Sequence, residues 1–389
     1  MPQIILSSLF LLLVYGGVSF YITKRLHRWF SRFCKIRYWL FAVIYAIPAS
    51  FVWLYFLFQS LSTKLNVSAP VWLRSAIIWI GSVWMGVFVY LLIFLLLTDV
   101  IMLIIRATGR LSRKSTDNVR FCCSTAAVVL VVALTVCGTA HAAQIKTVSY
   151  EIDLENSSTE ELNIALISDL HLGAAGSERN LAKAVDAVNA LEPDVVCISG
   201  DLFNDDFNSL YDPEGIVSLL RSIKSKYGVY ACLGNHDGVN RFDDMLQLLK
   251  DSDIILLNDE YKVVDDRFVI VGRLDGRVIG DFDGLERSDY EDIFDPTSTE
   301  LPVIVMDHNP ANISEYDGNT DLILSGHTHK GQIFPANILT YFMYDVHYGY
   351  YRADSNSPHV VVTSGAGYWG MPMRIGTDCE IVQIKLTGA

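Results

Sequence analysis

Apolar residues are distributed along this 389-residue chain in two contrasting ways. Up to about position 141 they form unbroken runs at 4–22, 39–58, 76–97 and 121–140, each close to the ~20 residues that cross a hydrocarbon core of ~30 Å. Short basic loops separate these runs, which predicts four membrane-spanning helices rather than the interior of a soluble protein. Beyond position 142 the runs shorten to strand length, at 163–168, 194–199, 228–233, 253–257, a hairpin over 261–272, then 302–306, 321–325, 359–364 and 380–386. Continuous apolar runs of this size predict strands buried on both faces. Amphipathic helices are expected between them: one capped by Ser177 and carrying Leu181, Val185 and Val188, one opened by Asp212 and Pro213 and closed by Gly228, and one starting at Asn240 with Met245, Leu248 and Leu249. The expected organisation is therefore a four-helix transmembrane region over 1–141, a linker and first strand over 142–160, and an α/β domain over 161–389. That domain is expected to be a layered β-sandwich flanked by helices.

Charge divides the chain at the same place. Residues 1–141 carry 13 Lys and Arg against two acidic residues, Asp99 and Asp117, whereas the remainder carries 17 basic and 41 acidic residues. The net charge of −13 is thus +11 joined to −24. The loop after the first run holds Lys24, Arg25, Arg28, Arg32, Lys35 and Arg37, and the loop after the third holds Arg106, Arg110, Arg113, Lys114 and Arg120. Cytoplasmic loops retain excess Lys and Arg, so both termini are expected outside, with the acidic domain extracytoplasmic. Its −24 charge opposes phosphate-backbone binding, and nucleic acid is not an expected partner. Asp99, near the end of the third run, is read as an interfacial residue. Residues 138–143 resemble a small-residue signal-peptidase site, but an ordinary helix end is the reading adopted.

The candidate chemistry is concentrated at the strand ends. In order, these ends deliver Asp169 and His171, then Asp201, then Asn235, His236 and Asp237, then Asp307 and His308, then His327 and His329. Ligands of α/β folds bind at the carboxyl ends of strands. Of the nine histidines in the chain, five sit at these ends, a concentration that scattered surface histidines would not produce. Imidazole with carboxylate and amide oxygen, without thiolate, suits divalent manganese, iron, zinc or nickel. So many groups exceed the coordination of one ion, and two metals are the economical solution. Gly200, Gly234 and Gly326 precede these residues, where sharp turns and close approach to a ligand are needed.

The motifs D-x-H, G-D, G-N-H-D, H-x-P and G-H-T-H, in this order, resemble those of the calcineurin-like binuclear metallophosphoesterases. The resemblance spans roughly 160–386 and includes Gly331 and Gln332 and the segment from Ser364 to Arg374, which are similar to the membrane-associated bacterial branch. It implies the calcineurin-like fold and two divalent metal ions, with Asp169, His171 and His329 on one, Asn235, His308 and His327 on the other, and Asp201 bridging. It further implies that His236 contacts phosphate or protonates the leaving oxygen, that Asn235 touches both metal and substrate, and that a metal-bridging hydroxide attacks phosphorus. Two departures stand out. Asp307 is an unusual neighbour for His308, read either as orienting an imidazole or as a solvated turn carboxylate, and Lys330, with Arg374, is a candidate for binding substrate phosphate.

The function implied is an integral-membrane phosphoesterase acting at the outer face on a phosphomonoester, phosphodiester or pyrophosphate, with lipid-linked compounds favoured by proximity to the bilayer. The alternatives are a transporter or sensor with an accessory phosphoesterase domain, and a non-catalytic metal-binding scaffold. The latter is disfavoured because no motif position is lost.

Overall fold

The computed structural model describes residues 2–65, 70–109, 112–154, 161–204 and 206–388, with side chains at 2–11, 55–65 and 71 outside the description. The chain forms two compact units, residues 1–69 with 76–137, and residues 70–75 with 138–389.

The first unit is helical: α1 (Pro2–Phe30), α2 (Tyr38–Leu65), α3 (Val71–Thr108) and α4 (Arg113–Ala142). Of the four expected spans, two are matched among the described residues by helices long and apolar enough to cross a membrane, Trp72–Thr108 with 37 residues and Arg113–Ala142 with 30. A shorter apolar helix covers Tyr38–Leu54. Leu103, Ile104, Val129 and Val132 point outward from α3 and α4, an arrangement that an aqueous surface would penalise and a hydrocarbon one would not. Asp99 accepts a hydrogen bond from Tyr21 at 2.7 Å and pairs with Arg25 at 2.8 Å. An acid on an apolar helix is thereby neutralised by local partners.

Among the described residues of the second unit, twelve strands form two mixed six-stranded sheets. In chain order the elements are β1 (Ile145–Leu154), β2 (Leu162–Ile167), α5 (Glu178–Ala190), β3 (Val195–Ser199), α6 (Pro213–Arg221), β4 (Val229–Cys232), α7 (Phe242–Asp251), β5 (Ile254–Leu256), β6 (Glu260–Val264), β7 (Phe268–Gly272), α8 (Tyr290–Ile293), β8 (Val303–Met306), β9 (Leu322–Ser325), α9 (Ala336–Met343), β10 (Gly349–Tyr351), β11 (His359–Val362) and β12 (Cys379–Gly388). One sheet has the order β1-β12-β2-β3-β4-β5 and the other β10-β11-β9-β8-β7-β6. Strands β2 to β5 are mutually parallel, as are β7, β8, β9 and β11.

The two-sided burial expected from the apolar runs is realised. Ile270 of β7, Ile304 of β8 and Leu324 of β9 pack with Leu166, Cys197 and Tyr230 of the first sheet, forming the core between the sheets. Their neighbours Val271, Val305 and Ile323 face the other way, against Tyr290, Phe294 and Tyr316. Helices α5, α6 and α7 cover the opposite face of the first sheet through Leu181, Val185, Ile216, Leu220, Met245 and Leu249.

Helix boundaries depart from expectation in three places. Ser177 precedes α5, but its hydroxyl donates to Ala174 O instead of capping the helix. Helix α6 ends at Arg221, well before Gly228, whose φ of +102° turns the chain into β4. Helix α7 starts after Arg241, in the left-handed region, not at Asn240. The stretch 142–160 contributes a full strand, since β1 pairs with β12 from Ile145 to Leu154; its residues 155–160 lie outside the described residues. The last turn of α4 is folded into this unit. Gly138 O accepts from Arg374 N at 3.0 Å, Ala142 O accepts from Asn180 Nδ2 at 2.8 Å, and Ala142 is 1% exposed. The small-residue pattern at 138–143 is accordingly a packed helix end.

Candidate metal centre

Five loops meet at the carboxyl ends of five strands, three from the first sheet (β2, β3, β4) and two from the second (β8, β9). Because the strands of each set run parallel, their ends emerge on one edge, and the loops bring Asp169, His171, Asp201, Asn235, His308, His327 and His329 together. Asp169, His171, Asp201, His327 and His329 all have φ between 46° and 69°. Non-glycine residues reach this region at an energetic cost, and they persist there only when surrounding contacts over-determine them. Here the loops hold one another: Asp169 N donates to Gly200 O, His171 N to Asp201 O, and Gly367 N to Asp169 O.

Glycine is required where the loops approach most closely. A Cβ on Gly234 would stand 2.3 Å from Asp201 Oδ1 and 2.4 Å from the Asp201 backbone nitrogen. Gly200, with φ +78°, brings the chain to within 2.7 Å of the His308 ring measured from its ideal Cβ position.

Two groups of side chains could each hold a metal ion: Asp169, His171 and His329, and Asp201, His308 and His327. In the first, His329 Nε2 lies 3.3 Å from Asp169 Oδ1 and 3.0 Å from His171 Nε2. In the second, His308 Nε2 lies 3.1 Å from Asp201 Oδ2, while His327 Nδ1 is 2.8 Å from Asn235 Oδ1. Asp201 Oδ2 is also 3.6 Å from His171 Nε2, so its carboxylate stands between the groups. His308 Nδ1 donates to Ser199 O at 2.8 Å, so that Nε2 points inward, toward Asp201. That atom is buried without a hydrogen-bond partner. Two imidazole nitrogens at 3.0 Å with a carboxylate beside them, and an orphaned third nitrogen nearby, form a donor set that fits divalent cations.

The buried groups perturb one another strongly. Burial pushes the Asp169 carboxyl up to about 6 and His171 down to about 3. Burial acts against charge on Asp201 and His308 too, yet each overrides it for the other, Asp201 staying below the usual carboxylate range and His308 rising well above its ordinary value.

His236 belongs to neither group. It is 7% exposed, its ring centroid is 5.1 Å from that of His171 and 5.8 Å from that of Trp369, and its backbone N–H donates to Asp201 Oδ1 at 2.8 Å. Asp237, not assigned a role from sequence, is fully buried and accepts the N–H groups of Phe203 and Gly234, fixing the loop that carries Asn235 and His236.

Two sequence expectations are corrected, those for Arg374 and Asp307. Arg374 was expected near substrate, but it is 1% exposed and donates to the carbonyls of His329, Ser364 and Gly367. It stands behind His329, 3.2 Å from Nδ1, and positions that histidine's loop. Lys330 is placed with its Nζ 3.7 Å over the Tyr348 ring centroid. Asp307 is neither solvated nor bonded to an imidazole; it is buried and accepts from Tyr316 Oη at 2.6 Å and Arg287 at 2.7 Å.

The calcineurin-like phosphoesterase family pattern matches residues 162–331. The chain is 28% identical over 394 residues to an uncharacterized metallophosphoesterase of Campylobacter jejuni, covering 99% of each chain. It is 32% identical over 323 residues to a transmembrane protein with metallophosphoesterase domain from Danio rerio, covering 78% of this chain and 72% of that one. A Bos taurus protein of the same description is 31% identical, covering 68% of this chain and 62% of that one. With these likenesses added to the gathered strand ends, the chain belongs to the calcineurin-like phosphoesterase family and is a phosphoester hydrolase with a divalent metal centre.

Proposed function

We propose that this chain is an integral-membrane phosphoesterase with a binuclear centre. Asp169, His171 and His329 would hold one cation, Asn235, His308 and His327 the other, and Asp201 both. The observation that carries this reading is the position of Asp201 Oδ2, 3.1 Å from a nitrogen of one group and 3.6 Å from a nitrogen of the other. A bound pair of divalent cations supplies Lewis acidity, lowering the pKa of water and neutralising phosphate charge.

The chain's own residues do the rest. Ser199 O fixes the orientation of the His308 ring, and Arg374 pins the backbone of His329. His236 lies beside the donor groups and outside them, where it protonates the leaving oxygen or steadies charge on phosphate. Trp369, half exposed, packs near the His236 ring and shields it from bulk water. The basic loops after α1 and α3 favour an extracytoplasmic active site, and the outward apolar faces of α3 and α4 favour membrane integration.

The substrate is a phosphomonoester, phosphodiester or pyrophosphate, with lipid-linked compounds favoured. The test is the full chain reconstituted with manganese, iron, zinc or nickel and assayed against soluble phosphomonoesters and phosphodiesters, nucleoside-diphosphate lipids and polyprenyl pyrophosphates. Turnover is expected in at least one class. Silence across the panel would favour the non-catalytic scaffold.

A further inference from the structure

Helix α9 packs on its own unit by one face only, through the half-buried Ala336, Asn337 and Thr340 and a Tyr341 ring 5.2 Å from that of His347. It spans eight residues, none of them fully buried, and its N-terminus receives no side-chain cap. Isolated helices this short are unstable without packing. Its sequence, Ala336–Met343, is apolar apart from Asn337 and Thr340, and no charged residue occurs from position 331 to 344 in a domain that is otherwise strongly acidic. Leu339 is 64% exposed, Met343 70% and Phe342 79%, and Ile338, Tyr341, Phe334 and Trp369 are exposed as well. A helix apolar on its exposed face requires an apolar environment.

Neighbouring segments of the same unit identify the environment at hand. The segment leading into α9 is tied to the end of α4, since Phe334 N donates to Ile375 O at 2.8 Å and the adjacent Arg374 N donates to Gly138 O at 3.0 Å. A Cβ on Gly138 would meet the Ile375 side chain at 2.8 Å, so the two segments touch. Gly138, in the last turns of the 30-residue apolar helix that ends at Ala142, is therefore joined through Arg374 and Ile375 to Phe334, two residues before α9. The first turn of α3, in the same unit, adds Trp72, 67% exposed, an aromatic of the kind that seats at membrane interfaces. The absence of charge disfavours an ionic protein partner, whereas aromatic and aliphatic side chains on a short helix suit the headgroup–acyl boundary.

We infer that α9, with Phe334 and Trp369, is an interfacial helix that seats in the bilayer spanned by its own chain; the inference rests on the proposed membrane integration. Contacts on either side of the helix give the docking a functional consequence. Tyr344, the residue after α9, packs its ring 6.0 Å from that of His327, and Trp369 packs 5.8 Å from His236. The docked surface is then continuous with the rim of the metal centre, and the phosphates presented to His236 are those at the level of lipid headgroups.

The test uses the full chain in phosphatidylcholine nanodiscs, with Cys34, Cys122, Cys123 and Cys137 replaced by alanine and an environment-sensitive fluorophore on Phe342→Cys, or on Leu339→Cys as a second site. Lys250→Cys, at an exposed charged position on α7, is the aqueous reference. Lipids carrying doxyl groups are expected to quench the fluorophore at 342 and 339, and iodide to quench it several-fold less than at 250. Iodide quenching equal to that at 250 would overturn the inference. So would protection from both quenchers, which would mean that protein, such as a second copy of the chain, covers α9. Hydrolysis of bis(p-nitrophenyl) phosphate by the unlabelled chain, measured in parallel, reports separately on the phosphoesterase reading. Lipid quenching in a chain without that activity would retain the docking and remove the chemistry.

Discussion

Asp201→Asn is expected to lower turnover of an activated phosphodiester by at least about 10³-fold, because partners beyond the ligands themselves already cost ~10–100-fold in comparable centres. The substitution preserves shape. An asparagine carbonyl at the Oδ1 position still accepts the His236 N–H, which in the native chain lies 2.8 Å away. What changes is the other atom: Oδ2, 3.1 Å from His308 Nε2 and 3.6 Å from His171 Nε2, becomes an NH₂ group that has no lone pair for a cation and carries no charge. Circular dichroism of the variant should match the parent, since the core between the sheets is untouched. Wild-type turnover in a folded variant would remove Asp201 from its bridging role.

His236→Asn should behave differently, and the difference is diagnostic. The ring is removed while the backbone N–H to Asp201 remains, and no expected ligand is lost. Metal content should stay at the wild-type value. If the imidazole protonates the leaving oxygen, its loss costs about 10²–10⁴-fold with an alkoxide leaving group. It costs far less with p-nitrophenolate, which departs without a proton. A kcat ratio between the two substrates that widens sharply in the variant is the expected result. An equal loss on both would assign His236 to charge neutralisation on phosphate instead.

The site was far more legible in the sequence than its surroundings. Asp169, His171, Asp201, Asn235, His308, His327 and His329 could be singled out because each stands just beyond a short apolar run, and parallel strands of a sheet deliver their ends to one edge. The role of Arg374 was not legible. An arginine that binds phosphate and one that binds three backbone carbonyls are the same letter, and only its burial separates them. Asp307 was misread for the same reason, its partners Arg287 and Tyr316 being distant in sequence and adjacent in space. Local signals failed where tertiary contacts outweighed them: Ser177 gives its hydroxyl to Ala174, and Gly228 serves the strand after it, not the helix before it. Strand β1 was legible only as part of a linker and first strand over 142–160, since its bounds are set by pairing with β12 at the far end of the chain.

If two adjacent donor groups, joined by Asp201, make this chain a metal-dependent phosphoesterase, its activity must track the metal it holds. The full-length protein, stripped with a chelator, is to be followed for phosphodiester turnover as manganese is returned stepwise. Turnover is expected to be negligible at the start and to plateau at two equivalents per chain, with Asp201→Asn failing to reach that plateau. A plateau at one equivalent, or undiminished turnover in the stripped protein, would contradict a binuclear centre.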